Sequence, residues 1–441
     1  MFNKHVKKVV SAALIATMTV SIAACGSTET ATTDNTASEG TASIGTDESG
    51  VTEEQTASSE NEAATKLTLI LRSDAYANVI KECLPAFEEE HNVSCEVLEL
   101  SEEDLHSKIA LDALNEEGAY DLCMVDGSWM AEFTNNGVLA DLTELGYELD
   151  DDIIPATTKI CYGENGDVYL APYYGNVTVL LYNKANVENA GYNADSMDSL
   201  QDLLTVCQTA QENGQKGFIY RGDTENNIVV DFLPILLSYG GWVIDENNQP
   251  TVNSEEFINA MNFYMELIAT GEAEVKDDLI ASVDSGAATM GIGWPGWYVP
   301  SDDTTAGYVA LNGAAEDGSE AYNANVYGVW TLGVTQNSTN KELAEELLEY
   351  LMDPDVQLST VADGGVPCRY SSLQNEEVLA EYPQYEIVCE ALESGVYRPV
   401  IEEWTDFYTI LGTEMGNIIN GVKTVEDGLN DAQSQLEDLM K

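Results

Sequence analysis

The sequence predicts an α/β fold, and three observations carry that expectation. Short apolar runs alternate with amphipathic segments from residue 66 to residue 125, in the order strand, helix, strand, helix, strand. The third run, Asp121-Leu122-Cys123-Met124-Val125, is apolar almost throughout, as a strand covered on both faces must be. The 441-residue chain also leaves enough length, once a leader is removed, for two lobes with sizeable cores.

Taken in order, the chain opens with Lys4, Lys7 and Lys8 before an apolar run from Val9 to Ala24. A basic start, a short apolar stretch and a small-residue exit make a secretory signal over residues 1–24. The run is too short to span a bilayer comfortably and no stop-transfer pattern follows it. Its exit, Ile22-Ala23-Ala24-Cys25, resembles a bacterial lipobox, in which the Cys is diacylated and becomes the new first residue. The alternative is ordinary secretion with an incidental Cys. Residues 25–65 then read as the lipidated Cys and a disordered acidic tether. From Gly26 to Thr65 there is no aromatic, Lys or Arg, so too little apolar surface exists to offset the ordering entropy. As a flexible coil the tether reaches on the order of 35 Å.

Globular patterning begins at Lys66. Leu67-Thr68-Leu69-Ile70-Leu71 is a strand, and Val79, Ile80, Leu84 and Phe87 mark a helix in which Pro85 starts the last turns or makes a kink. Residues 93–100 alternate as a second strand. Ser101 with Asp104 three residues on looks like a capping box. Asp126-Gly127-Ser128-Trp129 sits at the carboxyl end of the third strand, where ligands bind in open α/β sheets. Glu164-Asn165-Gly166-Asp167 is a hairpin turn.

Composition removes several functions. The formal net charge is −61, from 17 Lys+Arg against 78 Asp+Glu, which argues against nucleic-acid binding and repels anionic lipid. Membrane contact is therefore expected through the acyl anchor alone. Apart from Cys25, seven Cys remain, with no CxxC and no zinc-ligand spacing. They read as mostly free, buried thiols, which fits a reducing or anaerobic habitat. Only His91 and His106 follow the leader, and GxSxG, HExxH and Walker A patterns are absent. No enzyme activity, cofactor or metal is expected. Carboxylate pairs suited to glycoside hydrolysis are inevitable among so many acids, and no spacing singles one out. Gly291-Ile292-Gly293-Trp294-Pro295-Gly296 fits GxGxxG formally, but Trp and Pro fill its middle. Residues 245–250 resemble a calcium loop faintly. Pro250 replaces the needed Gly, which favours a hairpin turn.

Several longer stretches resemble the family 1 extracellular solute-binding proteins, the maltose-binding-type receptors of ABC importers. They are residues 121–129, 137–142, 172–184, 288–297, 328–334 with 340–344, and 421–429, arriving in family order. The resemblance implies a two-lobe, hinged periplasmic-binding-protein type II fold with a ligand cleft between the lobes. It implies a first lobe over 66–175 and 313–365 and a second over 176–312 and 366–441, with hinge passes near Gly175, Asn312 and Val366. Gly175 and Gly364-Gly365 suit a hinge physically. The ligand it implies is a carbohydrate, an oligosaccharide by preference, delivered by a monomer to ABC permease transmembrane subunits. Other solutes (a polyamine, a phosphate ester, a metal chelate) or an exported glycoside-active enzyme are the alternatives.

The same resemblance places Trp294 and Trp297 on a turn lining the cleft, where aromatics are either stacking platforms for sugar rings or core plugs. Tyr408, with neighbours Trp404 and Phe407, matches a stacking position on a late helix, against plain helix core. Asp126, Trp129 and Asn176 match positions at the cleft mouth and hinge. Of Tyr173 and Tyr174, one should face the cleft and one the core. Arg72, Arg221 and Arg369 are scarce cations for which a surface salt bridge is the default; Arg369, after the third hinge pass, is the candidate among them for a ligand contact.

Overall fold

A computed structural model of the protein describes residues 65–197, 199–298, 305–313 and 322–441. The signal, Cys25 and the tether as far as residue 64 lie outside the described residues. Leu67, Leu69, Ile70 and Leu71 are fully buried, because β1 (Thr65–Arg72) is covered on both faces. It pairs in parallel with β2 (Val93–Leu100) on one side and β3 (Leu122–Asp126) on the other. The helix Ala75–His91 makes the first crossover, runs on through Pro85, and buries Val79, Ile80, Leu84 and Phe87. Ser101 caps the next helix, Glu102–Asp112, by accepting the Asp104 N–H at 3.2 Å. β4 (Ala171–Tyr174) joins this sheet after a long connection.

The chain then enters a second sheet, made from β5 (Val179–Asn183), β6 (Lys216–Phe218), β7 (Ala288–Gly293) and β8 (Ala306–Val309) in the order β6-β7-β5-β8. Short pieces follow: β9 (Asn312–Gly313) pairs with β10 (Tyr322–Asn323), and β11 (Val326–Tyr327) leads back to the first sheet. There β12 (Trp330–Val334) inserts antiparallel between β3 and β4, giving the order β2-β1-β3-β12-β4. The two-residue β13 (Val396–Tyr397) pairs with β11 just before the late helices Trp404–Ile419 and Val425–Leu439. Those helices return to the second core, where Trp404, Phe407, Leu411 and Leu436 pack with Phe232 and Phe257.

The crossings between the two cores run side by side. The Thr178 N–H donates to the Val326 carbonyl at 2.9 Å, Gly328 N–H to Asn176 O at 2.9 Å, and Val396 N–H to Asn325 O at 2.9 Å. Two of the expected passes are thereby corrected. Leu311, Ala324 and Val326 pack in the second core, so the chain returns to the first lobe at Tyr327 rather than near Asn312. Val366, Leu373, Val388 and Leu392 pack in the first core, and the last pass falls between Val400 and Ile401 rather than at Val366. The physical reason lies in Gly364-Gly365. Gly364, at φ 87°, stops a short helical turn, and the chain behind it folds back as more helix on the same lobe. Val177 still packs in the first core and Val179 and Leu180 do not, so the first change of core falls just past Gly175, which is needed for close approach within the first lobe. A Cβ there would sit 2.7 Å from Leu392 Cδ1 and 3.1 Å from the Val366 carbonyl.

Arg369 belongs to this scaffold. It is fully buried and donates to Gln357 at 2.6 Å, to Asp150 at 2.8 Å, to Asp152 at 3.1 Å and to the Met352 carbonyl at 2.6 Å. All seven cysteines among the described residues are free, six of them buried. Residues 245–250 form a turn closed by an Ile244–Pro250 bridge, with the Asp245 carboxylate capping backbone N–H groups.

Replacing Arg369 tests this role. Arg369→Gln should lower unfolding stability by roughly 2–4 kcal/mol, because it strips donors from several acceptors at once. Ligand affinity of the surviving folded protein should stay unchanged. A loss of affinity at unchanged stability, read from denaturant melts and calorimetry, would return Arg369 to the binding site.

Candidate functional site

Strand ends converge on one cavity of about 230 Å³. Arg72 is the last residue of β1, Glu102 follows β2, Asp126 ends β3, and Trp294 follows β7. Carboxyl ends of strands carry ligand sites because loops there are free of the ladder and helix N-termini point at the opening. Trp330, directly opposite Asp126 in the β3–β12 register, adds an aromatic wall. Asn176, Gly328 and Arg398 come from the crossings. Arg221, Asn226, Lys276 and Trp297 come from the second lobe.

Its floor is an ion pair. Both Asp126 oxygens accept from Arg398 Nη2, at 2.7 and 2.6 Å, and Oδ1 also accepts the Ser128 N–H at 2.9 Å and the Ser128 hydroxyl at 2.7 Å. Arg398 Nε reaches the Tyr327 carbonyl at 3.3 Å. Beside it, Tyr76 accepts from Asn176 Nδ2 at 3.1 Å and lies 4.7 Å from Tyr174 and 5.6 Å from Trp330, centroid to centroid. Burial pushes the Tyr76 phenol up to about 12, so it stays protonated.

On the facing lobe the carboxylate of Asp231 holds Arg221 through its backbone N–H at 2.9 Å and through the guanidinium. That guanidinium lies 5.0 Å over the Trp297 ring and covers one of its faces. Two contacts cross the mouth. Lys276 Nζ donates to Asp74 at 2.9 Å, and Asn226 Nδ2 donates to Glu102 at 3.1 Å. The hydrogen bond from Lys276 holds the Asp74 carboxyl below its ordinary value. Burial, with the charge of Asp126 beside it, pushes the Glu102 carboxyl up, against the opposing pull of Arg398 and Arg72. Asp74 adopts φ 69°, an uncommon backbone conformation for a residue with a side chain.

Of the residues singled out from sequence, Trp294, Trp297, Asp126, Asn176, Arg72 and Arg221 line this cavity. The others do not. Trp129 is buried under it, edge-on to Trp330 at 5.5 Å and beside Phe133 at 5.9 Å. Tyr174 is buried and donates to the Gly364 carbonyl at 2.6 Å, while Tyr173 is buried in the first core. So neither of that pair reaches the cleft. Trp404 is buried against Phe407, and Tyr408 stands half-buried beside it. Arg369 is in the scaffold described above. Trp294 itself is only 6 % exposed, so it serves as wall and core at once.

Tyr76, Glu102, Asn226, Lys276, Trp330 and Arg398 were missed. The position of Glu102 just past a strand end carried a signal, as did the scarcity of Arg. Among the described residues no group of three or more His, Cys, Asp or Glu is placed to hold a metal ion, and no helix is long and apolar enough to cross a membrane. The GxGxxG-like run lies on β7 and a following turn, not between a first strand and a helix.

The floor pair generates a prediction. Arg398→Met should destabilise the fold by about 3–5 kcal/mol, because it leaves the Asp126 carboxylate buried without its counter-charge. Arg398→Met with Asp126→Asn should recover much of that loss. Additive losses in the double-mutant cycle would mean the two charges do not depend on one another.

A family model described as bacterial extracellular solute-binding protein matches residues 71–358. A probable amino-acid ABC transporter periplasmic-binding protein of Sinorhizobium fredii is 24% identical over 373 residues, 80% of this chain and 84% of that one. The arabinooligosaccharide-binding protein of Bacillus subtilis is 23% identical over 260 residues, 56% of this chain and 59% of that one. Among solved structures, the maltose-bound MalE3 of T. maritima superposes with a TM-score of 0.75 at 22% identity, covering 85% of this chain and 100% of that one.

Proposed function

Because this chain belongs to the bacterial extracellular solute-binding protein family, we propose that it captures a carbohydrate and hands it to the transmembrane subunits of an ABC importer, anchored outside the cytoplasmic membrane by a diacylated Cys25. The observation that carries the sugar is a pair of amide oxygens. Asn176 Oδ1 and Asn226 Oδ1 are buried without a donor, and both residues line the cavity. Buried acceptors without partners are costly, and sugar hydroxyls are donors of the right kind. Tyr76, Trp294, Trp297 and Trp330 supply aromatic surface for the C–H faces of a sugar ring. Sugar names among the relatives support the same reading. The cavity lies below the roughly 300–1,000 Å³ of common small-molecule sites. A ligand as long as an oligosaccharide would extend through the mouth.

No bond is made or broken in this role. A ligand touching both lobes favours the form in which Lys276 meets Asp74 and Asn226 meets Glu102, and the permease reads that form. The amino-acid name of the Sinorhizobium fredii relative makes a free amino acid the second reading, favoured by the opposite charges of Arg72 and Glu102 in one cavity.

A thermal-shift panel of sugars, amino acids, polyamines and phosphate esters decides between these. A solute at 100 times its Kd should add about 2.7 kcal/mol, and scattering should register contraction. Trp297→Ala, a half-buried wall residue, should weaken the best sugar by about 1.5 kcal/mol or more and leave the fold intact. Binding of amino acids with no response to any sugar would discard the carbohydrate, and product formation from an oligosaccharide would discard the receptor role.

The anchor is tested separately. Cys25→Ser should abolish acyl labelling and leave the protein soluble or uncleaved. An acylated, membrane-bound mutant would refute the lipobox.

A further inference from the structure

The chain contains four Arg, and three of them (Arg72, Arg221 and Arg398) line the one cavity at the strand ends, in a protein with 78 acidic residues. Two are committed to carboxylates of the protein: Arg398 to Asp126 and Arg221 to Asp231. Lys276, the other cation there, is committed to Asp74. Arg72 differs. Its Nη1 donates to the Ser73 hydroxyl at 2.8 Å and to the Leu100 carbonyl at 3.4 Å, and the guanidinium lies 5.9 Å over the Tyr76 ring. Among the described residues its Nε and Nη2 edge makes no hydrogen bond and no carboxylate lies within ion-pair distance. That edge carries two parallel N–H donors in the spacing that a planar carboxylate fills.

We infer that the ligand is an acidic sugar, a uronate, whose carboxylate takes the free edge of Arg72 while its ring lies among the aromatic walls. This rests on the carbohydrate reading above and deepens it. A neutral sugar would leave the Arg72 edge without a carboxylate in contact among the described residues, with only the more distant charges of Glu102 and Asp74 acting on it. A phosphate ester would bring nearly two negative charges to a place where Glu102 and Asp126 already stand. One open guanidinium edge suits one carboxylate.

Calorimetry on the exported chain tests the inference with D-galacturonate, D-glucuronate and digalacturonate. Each is set against its neutral parent and its methyl ester, with glucose 6-phosphate and inorganic phosphate as further probes. The expected result is that one uronate binds about tenfold or more tighter than both its neutral parent and its ester. Arg72→Gln should abolish that preference, read as the ratio of uronate to neutral-parent affinity within the same variant. Arg72→Lys should keep part of it, since a point charge replaces a fork. Melting curves confirm that each variant is folded. Equal affinity for the uronate and its ester, or an equal loss for acid and parent in Arg72→Gln, overturns the acidic ligand and leaves the carbohydrate standing. Preference for glucose 6-phosphate or phosphate overturns it as well. Silence toward every sugar, acidic or neutral, overturns both.

Discussion

The ion pair of Asp126 with Arg398 is the constraint on which the site depends. Asp126 ends a strand of the first sheet, and Arg398 lies on the last pass between the cores. Their contact therefore fixes the cavity floor and the crossing together. A buried pair of this kind adds little net stability, because desolvation cancels most of the attraction, yet either half alone is costly. Geometry is what it contributes. Asp126 receives donors from Arg398, the Ser128 backbone and the Ser128 hydroxyl, which leaves it little capacity for a ligand. Its position at a strand end suggests a contact residue, but its bonding makes it a support.

The same logic sorts the other charges. In a chain of net charge −61, cations are surrounded by acids, and most pair on the surface at little gain. Arg221 and Arg369 both escape that default by burial, in opposite roles. Arg221 is tied to Asp231 and roofs Trp297, so one face of that ring is already occupied. A sugar would meet its other face or its edge. Arg369 closes a polar cluster far along the first lobe and never reaches the cavity.

Much of the fold was legible because it is written locally. Strand–helix alternation, the Ser101 cap and the apolar third strand each depend on a handful of neighbouring residues. So was the turn carrying Trp294 and Trp297, since its aromatics follow directly on an apolar strand. The crossings were harder. Gly364-Gly365 looks the same in sequence whether it serves a hinge or a helix stop, and only the packing of residues 366–392 decides. Asn226 meets Glu102 and Lys276 meets Asp74 only through the relative placement of two lobes, which no local pattern encodes. Trp129 and Trp330 show the limit plainly. They pack edge to face, and the one that lines the cavity is the one whose strand enters from the far side of the sequence.

The closing contacts are few and weak, and that has a mechanical consequence. Lys276 with Asp74 is an exposed pair, Asn226 donates one hydrogen bond to Glu102, and Asn135 donates one to Glu402 beside the last crossing. Exposed pairs contribute about 0–1 kcal/mol and single hydrogen bonds about 1 kcal/mol. Against them stand the buried acceptors Asn176 Oδ1 and Asn226 Oδ1 and the positive φ of Asp74. The contacts that bridge the lobes in this form are thus worth little. A solute that donates to those oxygens and touches both lobes needs only a few kcal/mol of preference to move most of the population. The protein spends its strong interactions on the floor and the scaffold. It leaves the mouth to contacts that a ligand can tip.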